Sequence, residues 1–168
     1  MPRAAKATLA HLGRCVEQLD AQLAEFDRRL AARHEADPVS RRPAAVPGAG
    51  PPTALTAAAT ADACRFESGR HFAAWLGLTP RERSTGGRQR LWGISRAGDE
   101  RLRRLPVVGA MGAIRHAGPT SRAASPRLLG LLERRPRELA AVALADKMAR
   151  TLWATMANGT AYRPPRAA

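Results

Sequence analysis

Large apolar side chains are scarce in this sequence. Leu, Ile, Val and Phe make up 17% of the 168 residues, below the roughly 20% under which high charge begins to imply disorder. Hydrophobic residues reach 45%, but 36 of them are alanines, which leaves 39 residues with much volume to bury. A self-sufficient, densely packed enzyme is therefore not expected, and the length allows one domain with an appendage. Acidic residues are also few, 14 against 28 basic ones. Seven of the acids precede residue 65, and none forms a metal-binding set, so a complete two-metal nuclease is not expected in this chain. Cys15 and Cys64 have no C-x-x-C spacing, and His11, His34, His71 and His116 show no ligand spacing. Neither a zinc site nor a disulfide framework is supported, and a reducing compartment fits. No apolar run approaches the roughly 20 residues of a membrane helix, and the Met-Pro-Arg start lacks the apolar stretch of a signal peptide. A cytoplasmic protein without a membrane partner is expected.

What the chain has in excess is arginine. Arginines are 26 of the 28 basic residues, and the formal charge is +14. The guanidinium fork suits phosphate oxygens better than the point charge of lysine does, although Ala and Arg richness also accompanies G+C-rich genomes. Position separates the two readings. Residues 1–35 carry 6 basic and 5 acidic groups, whereas 36–168 carry 22 and 9. Thirteen of the 14 excess charges thus lie beyond residue 35, and nucleic acid is the expected partner.

Leu9, Leu12, Val16, Leu19, Leu23, Phe26 and Leu30 are spaced alternately three and four apart. This heptad seam predicts a helix over residues 1–36 that pairs with another helix, in preference to one packed on its own domain. Residues 37–62 read as a Pro/Gly-rich linker or a degenerate helix-hairpin-helix. Pro38, Pro43, Pro47, Pro51 and Pro52 argue against any helix there. Within it, Val46-Pro47-Gly48-Ala49-Gly50-Pro51 resembles a hairpin in which Gly48 and Gly50 let backbone N–H groups approach a DNA phosphate; linker and hairpin both stay open.

Residues 63–163 form the expected C-terminal domain, with a tail at 164–168. Phe66, Phe72, Trp75, Leu76 and Leu78 are the densest large-apolar cluster, with Phe72, Trp75 and Leu76 on one face of a short helix. Gly77 and Pro80 end that helix and leave 79–87 as an exposed loop. A second helix starts near Gly98-Asp99 and carries Leu102, Leu105, Val108 and Ile114, and Pro106 should kink or break it. A third runs from Pro136 through Leu139, Val142, Leu144, Met148, Leu152, Trp153 and Met156 to Asn158-Gly159. Beyond it, Tyr162-Arg163-Pro164 reads as an extended tail. No alternation persists long enough for a sheet, so a mainly α fold is expected.

Chemistry concentrates in Arg81-Glu82-Arg83-Ser84-Thr85-Gly86-Gly87-Arg88-Gln89-Arg90. Guanidinium groups and Gly-rich backbone N–H groups there could converge on one phosphate, with Arg96 close in sequence. A serine attacking a phosphodiester also needs a base and help for the leaving oxygen. The loop offers stabilisers but no base, so on residue pattern alone passive phosphate binding ranks above nucleophilic catalysis.

Gly69-Arg70-His71-Phe72-Ala73-Ala74-Trp75-Leu76-Gly77-Leu78-Thr79-Pro80-Arg81, followed by Ser84-Thr85-Gly86-Gly87, Gly93-Ile94-Ser95 and Gly98-Asp99, resembles the C-terminal domain of the bacterial insertion-sequence 110/116/902 transposases. The resemblance runs on through Ala140–Ala145 and Trp153 to Tyr162-Arg163-Pro164, and back through the Pro-Gly-Ala-Gly-Pro segment and the heptad helix. It implies DNA transposition by recombination, in which an N-terminal domain supplies a DEDD set of acidic metal ligands and the C-terminal domain a serine transiently linked to DNA. Ser84 matches that serine. Arg81, Arg83, Thr85, Gly86, Gly87, Arg88, Arg90 and Arg96, with Gly48 and Gly50, are the expected nucleic-acid contacts.

The resemblance further implies pairing through the coiled coil, with a second copy or with an intact transposase, and a structured RNA that helps choose the DNA. No cofactor is expected in this chain, Mg2+ belonging to the DEDD domain, which the sequence does not contain. A truncated, nucleoid-associated transposase fragment, inactive alone, is the first expectation. The alternatives are a nonenzymatic nucleic-acid-binding or interfering partner and the product of a decaying gene. Three departures from the family pattern stand out. Trp92 replaces a usual second glycine before Gly93-Ile94-Ser95, Pro106 interrupts a leucine-rich helix, and Pro43 and Pro52 fall in the hairpin region.

Overall fold

The computed structural model describes residues 2–82, 91–117 and 125–163. Seven α-helices and a two-stranded sheet are formed by the described residues. The chain divides into two compact units, 1–36 and 37–168. The first is one helix, α1 (Arg3–Ala36). Every seam residue of α1 is exposed: Leu9, Leu12, Val16, Leu19, Leu23 and Phe26 at 54–61% and Leu30 at 38%.

The second unit is built from α2 (Pro38–Ala44), α3 (Pro51–Thr60), a single 3-10 turn (Ala63–Arg65), α4 (Gly69–Trp75), β1 (Pro80–Glu82), β2 (Leu91–Ile94), α5 (Glu100–Arg115), α6 (Pro126–Leu132) and α7 (Arg137–Ala157). Side-chain caps start five of these helical segments. Asp37, Asp62, Ser68, Asp99 and Ser125 accept hydrogen bonds from the backbone N–H groups of Val39, Cys64, His71, Leu102 and Leu128. Each cap satisfies a donor that the first helical turn leaves without a partner.

The fold is mainly α, with three corrections to the sequence reading. The prolines of residues 37–52 do not exclude helix, since α2 and α3 start there and leave a helix–turn–helix outline in place of a plain linker. Pro38 and the Pro51-Pro52 pair occupy first-turn positions, where a missing N–H costs nothing because no carbonyl precedes it in the helix. Pro43 lies inside the last turn of α2 and is buried. Of the kink or break expected at Pro106, the break does not occur, since α5 runs unbroken through that buried residue. Finally, the first part of the expected loop, Pro80–Glu82, is a strand that pairs antiparallel with Leu91–Ile94, a ribbon too short to show alternation.

The core explains how a sequence poor in large apolar residues folds. α7 lies at its centre, in contact with α2, α3, α4, α5, α6 and the 3-10 turn. Ala54, Ala57, Ala73, Ala110, Ala140, Ala141, Ala145 and Ala149 are all at most 1% exposed. Small side chains let helices approach closely, so close-packed backbone replaces side-chain volume. Phe72, Leu76, Leu78, Leu102 and Leu152 complete it. Phe66 stands edge-on to Phe72 at 5.1 Å and tilted against Trp75 at 5.2 Å, a geometry favoured by ring quadrupoles. Val108 and Leu139, apolar residues of α5 and α7, are exposed at 68% and 56%, and Tyr162, expected in an extended tail, packs against the core.

Candidate nucleic-acid interface

The β1–β2 ribbon is held by an interlock between two backbone segments. α4 ends in the turn its sequence predicts. Gly77 takes φ +72°, its N–H bonds to Ala74 O, and the N–H of Leu78 bonds to Ala73 O at 3.0 Å, a Schellman closure. The second segment, 95–98, lies directly against it. Gly98 has φ +75°, and a Cβ there would overlap the carbonyl oxygen of Trp75. A Cβ on Gly77 would likewise overlap the backbone of Ala97. Only glycine fits either position, because both the space and the left-handed φ exclude side chains.

Hydrogen bonds close the interlock. Arg96 donates its N–H to Gly77 O at 3.1 Å, and Ser95 donates to Thr79 O at 2.9 Å. Arg103, on the first turns of α5 and 9% exposed, donates from Nη1 to Ala97 O at 2.8 Å and Leu76 O at 3.2 Å. One buried guanidinium thereby ties both segments to α5. In the sequence Arg103 is only one of the 22 basic residues beyond position 35; burial and its carbonyl partners make it a structural clamp. Its spacing of four from the Asp99 cap could have placed it near the helix start, but nothing in the sequence distinguishes it from Arg101 or Arg104.

Of the expected contacts, Arg81 and Arg96 lie in this region and are exposed. Arg81 donates from Nε and Nη2 to Ser95 O, at 3.2 and 2.8 Å, which uses two of its five N–H directions and fixes the plane of the guanidinium. Arg96 has φ +55°, uncommon for a residue with a Cβ. Gly48 and Gly50 lie apart from them, in the turn between α2 and α3. Gly48, at φ +84°, faces the protein: its Cβ position is 3.0 Å from Gly109 O and from Met148 Cε. Gly50 is exposed and caps α3 without a side chain, but Pro51 and Pro52 supply no N–H groups to an incoming phosphate. The hairpin thus offers packing at Gly48 and a poor donor set at Gly50. Ser84, Arg83, Thr85, Gly86, Gly87, Arg88 and Arg90 lie outside the described residues.

Elsewhere, a cavity of about 750 Å³ between α6 and α7 is lined by Leu128, Leu131 and Leu144 with Arg134, Lys147 and Arg150. Asp146 also lines it, paired with Arg150 at 2.8 Å. Burial pushes the Asp146 carboxyl above its ordinary value, and Arg150 opposes that shift by charge and hydrogen bonding. Among the described residues, no three His, Cys, Asp or Glu side chains group to hold a metal ion. The described residues thus do not fit the magnesium that the resemblance implies. No helix of the described residues is long and apolar enough to cross a membrane.

The ribbon, its interlock and α5 all fall within residues 41–125, which match the family described as Transposase IS116/IS110/IS902. The chain belongs to this transposase family. It is 47% identical over 150 residues to a probable family 20 transposase of Pseudomonas aeruginosa, covering 89% of this chain and 44% of that protein. It is 45% identical over 165 residues to the putative transposase y4pF/y4sB of Sinorhizobium fredii, covering 97% and 43%. Against the transposase for insertion sequence element IS1111A of Coxiella burnetii, identity is 35% over 145 residues, covering 86% and 40%. The chain thus spans less than half the length of these relatives.

Proposed function

We propose that this chain is the DNA-binding, serine-bearing part of an insertion-sequence transposase, with Ser84 as the nucleophile for strand exchange. The observation that carries the reading is the match of residues 41–125 to the transposase family, a span that holds Ser84-Thr85-Gly86-Gly87 between two strands rooted in the glycine interlock. In the proposed step the Ser84 hydroxyl oxygen attacks a DNA phosphorus. An Oγ–P bond forms, the P–O bond to one deoxyribose breaks, and the displaced sugar oxygen takes up a proton while the serine loses one. Arg81 and Arg96, with Arg83, Arg88 and Arg90, would stabilise charge on the phosphoryl oxygens. The base and the acidic ligands would come from a separate DEDD domain, and an RNA of the element would help select the DNA. The seam of α1 would join two subunits so that the serine of one meets the acidic site of another.

The test combines the chain with a nicked or branched DNA, magnesium and a separately expressed DEDD domain, and looks for a covalent protein–DNA adduct. An adduct that forms with wild type and disappears in Ser84→Ala is expected. An equal adduct from Ser84→Ala would sink the assignment. A second reading, a nonenzymatic nucleic-acid-binding partner of an intact transposase, is favoured by the charge beyond residue 35 and by the lack of a carboxylate set among the described residues. It requires DNA binding that survives Ser84→Ala and no adduct under any condition.

A further inference from the structure

The β1–β2 ribbon carries an aromatic ring in an unusual place. Pro80 pairs with Ile94 and Glu82 with Leu91, with a register shift between. The single residue Arg81 therefore faces two, Trp92 and Gly93. Such a bulge redirects side chains out of the regular pleat. Trp92 is 61% exposed, whereas Trp75 and Trp153 pack against the core, and Trp153 spends its indole N–H on Ala63 O at 3.0 Å. A Cβ at the neighbouring Gly93 would meet nothing within 4 Å.

The charge around this ring narrows what would lie on it. Arg81 is held across the ladder by two hydrogen bonds to Ser95 O, and Arg96 is exposed just beyond β2. An exposed flat ring on a strand opposite a held guanidinium, on a chain of formal charge +14, matches a ligand that is flat on one side and anionic on the other. A nucleotide has that form. In a duplex the base faces are already stacked on their neighbours, so only an unpaired base has a face to offer. Stacking on aromatic side chains combined with a cationic path for the backbone is the general physics of single-strand binding.

We infer that Trp92 is a stacking platform for an unpaired DNA base, with Arg81 and Arg96 receiving the adjoining phosphates. This rests on the nucleic-acid-binding part of the proposed function, and not on Ser84 being a nucleophile. It gives the chain a preference for DNA with a melted or branched segment over continuous duplex.

The full chain, titrated with a short oligothymidylate and with a duplex of equal length at one salt concentration, tests this. For wild type, binding of the single strand should quench tryptophan fluorescence. Trp92→Ala should weaken single-strand binding about 5- to 100-fold, change duplex binding less than twofold, and abolish the quench. Trp92→Phe should keep most of the affinity, because a ring remains. Circular dichroism melts of both variants should match wild type, because the side chain is exposed. Equal losses on single strand and duplex, an unchanged affinity in Trp92→Ala, or a wild-type quench that persists in it would each overturn the inference while leaving nucleic-acid binding intact. An RNA oligomer bound tenfold more tightly than the DNA through Trp92 would overturn the DNA assignment. Wild type that binds neither probe would overturn both readings together.

Discussion

The carbonyl oxygen of Gly48 occupies the place where a Cβ of residue 109 would stand. The turn between α2 and α3 is thereby seated directly on the backbone of α5, with Met148 of α7 closing the other side at 3.0 Å from the Gly48 Cβ position. Backbone against backbone leaves no flexible side chain to yield. Gly109→Ala must push the turn away from α5 and should cost about 2–3 kcal/mol, read as a lower urea midpoint with an unchanged slope. Gly112→Ala, three residues on and with nothing within 4 Å of its Cβ position, should be neutral or slightly stabilising, because alanine favours helix.

Arg103 offers a second stability test with a different signature. Replacing it with Met keeps a long apolar stem but leaves the carbonyls of Leu76 and Ala97 without this donor. Two carbonyls deprived of a buried partner predict a loss of about 2–4 kcal/mol. Gly98→Ala should loosen the same interlock, through its φ of +75° and the overlap with Trp75 O. The two variants should be less than additive when combined, since they disrupt one contact set. Full additivity, measured by denaturant unfolding, would show that the interlock is not a unit.

The interlock marks the division between what the sequence made legible and what it hid. Local rules placed α4, α5 and α7 well: the Gly77 stop, the Asp99 start and the Asn158-Gly159 end depend on residues within a turn of the boundary. The prolines of 37–52 misled because their effect depends on position. Pro38, Pro51 and Pro52 block a helix interior and favour a helix start, and only the neighbouring caps say which applies. Discounting alanine misjudged the core, because Ala140, Ala141, Ala145 and Ala149 become valuable only once a helix faces other helices. Within the candidate site, Arg81 and Arg96 were legible as basic residues near the serine motif. The clamp role of Arg103 depends in part on Leu76, 27 positions away, and the packing role of Gly48 on Gly109 and Met148 in distant helices, which no local pattern reports.

Phosphate contact should separate Arg96 from Arg103. If Arg96 neutralises a DNA phosphate, Arg96→Gln lowers affinity at low salt and reduces the slope of log affinity against log salt by about 1, through one fewer released counterion. Arg103 already donates to protein carbonyls, so Arg103→Met should leave that slope unchanged at temperatures where it remains folded. A slope that falls equally in both variants would show that Arg96 is not a contact.

Asp146 gives a pH dependence whose sign follows from burial. Its carboxyl is held above the ordinary value, chiefly by desolvation, so the folded chain binds that proton more tightly than the unfolded one. Stability from this group is therefore present below the unfolded value and lost as pH rises through the folded one. Asp146→Asn removes the dependence, at the cost of the charge pair with Arg150. In urea titrations between about pH 3 and 6, wild type should lose stability relative to Asp146→Asn as pH rises. A relative gain over that interval would mean that the Arg150 pair outweighs desolvation.

Seven of the eleven exposed large apolar side chains among the described residues lie on the seam of α1, and this predicts a concentration-dependent assembly. Seven large side chains lie along one face of a single helix, six of them more than half exposed. Their spacing of 3.5 on average keeps that face straight against a partner helix. In a lone chain Leu19, at 58% exposure, touches too little for Leu19→Glu to matter, and unfolding of residues 37–163 should be unchanged. In a paired chain the same substitution places a carboxylate in a desolvated seam. Light scattering should then show an oligomer for wild type and a monomer for Leu19→Glu at equal concentration, with the melt of the second unit the same in both. A wild type that stays monomeric at every concentration would remove the pairing, and with it the proposal that the serine of one subunit works with the acidic site of another.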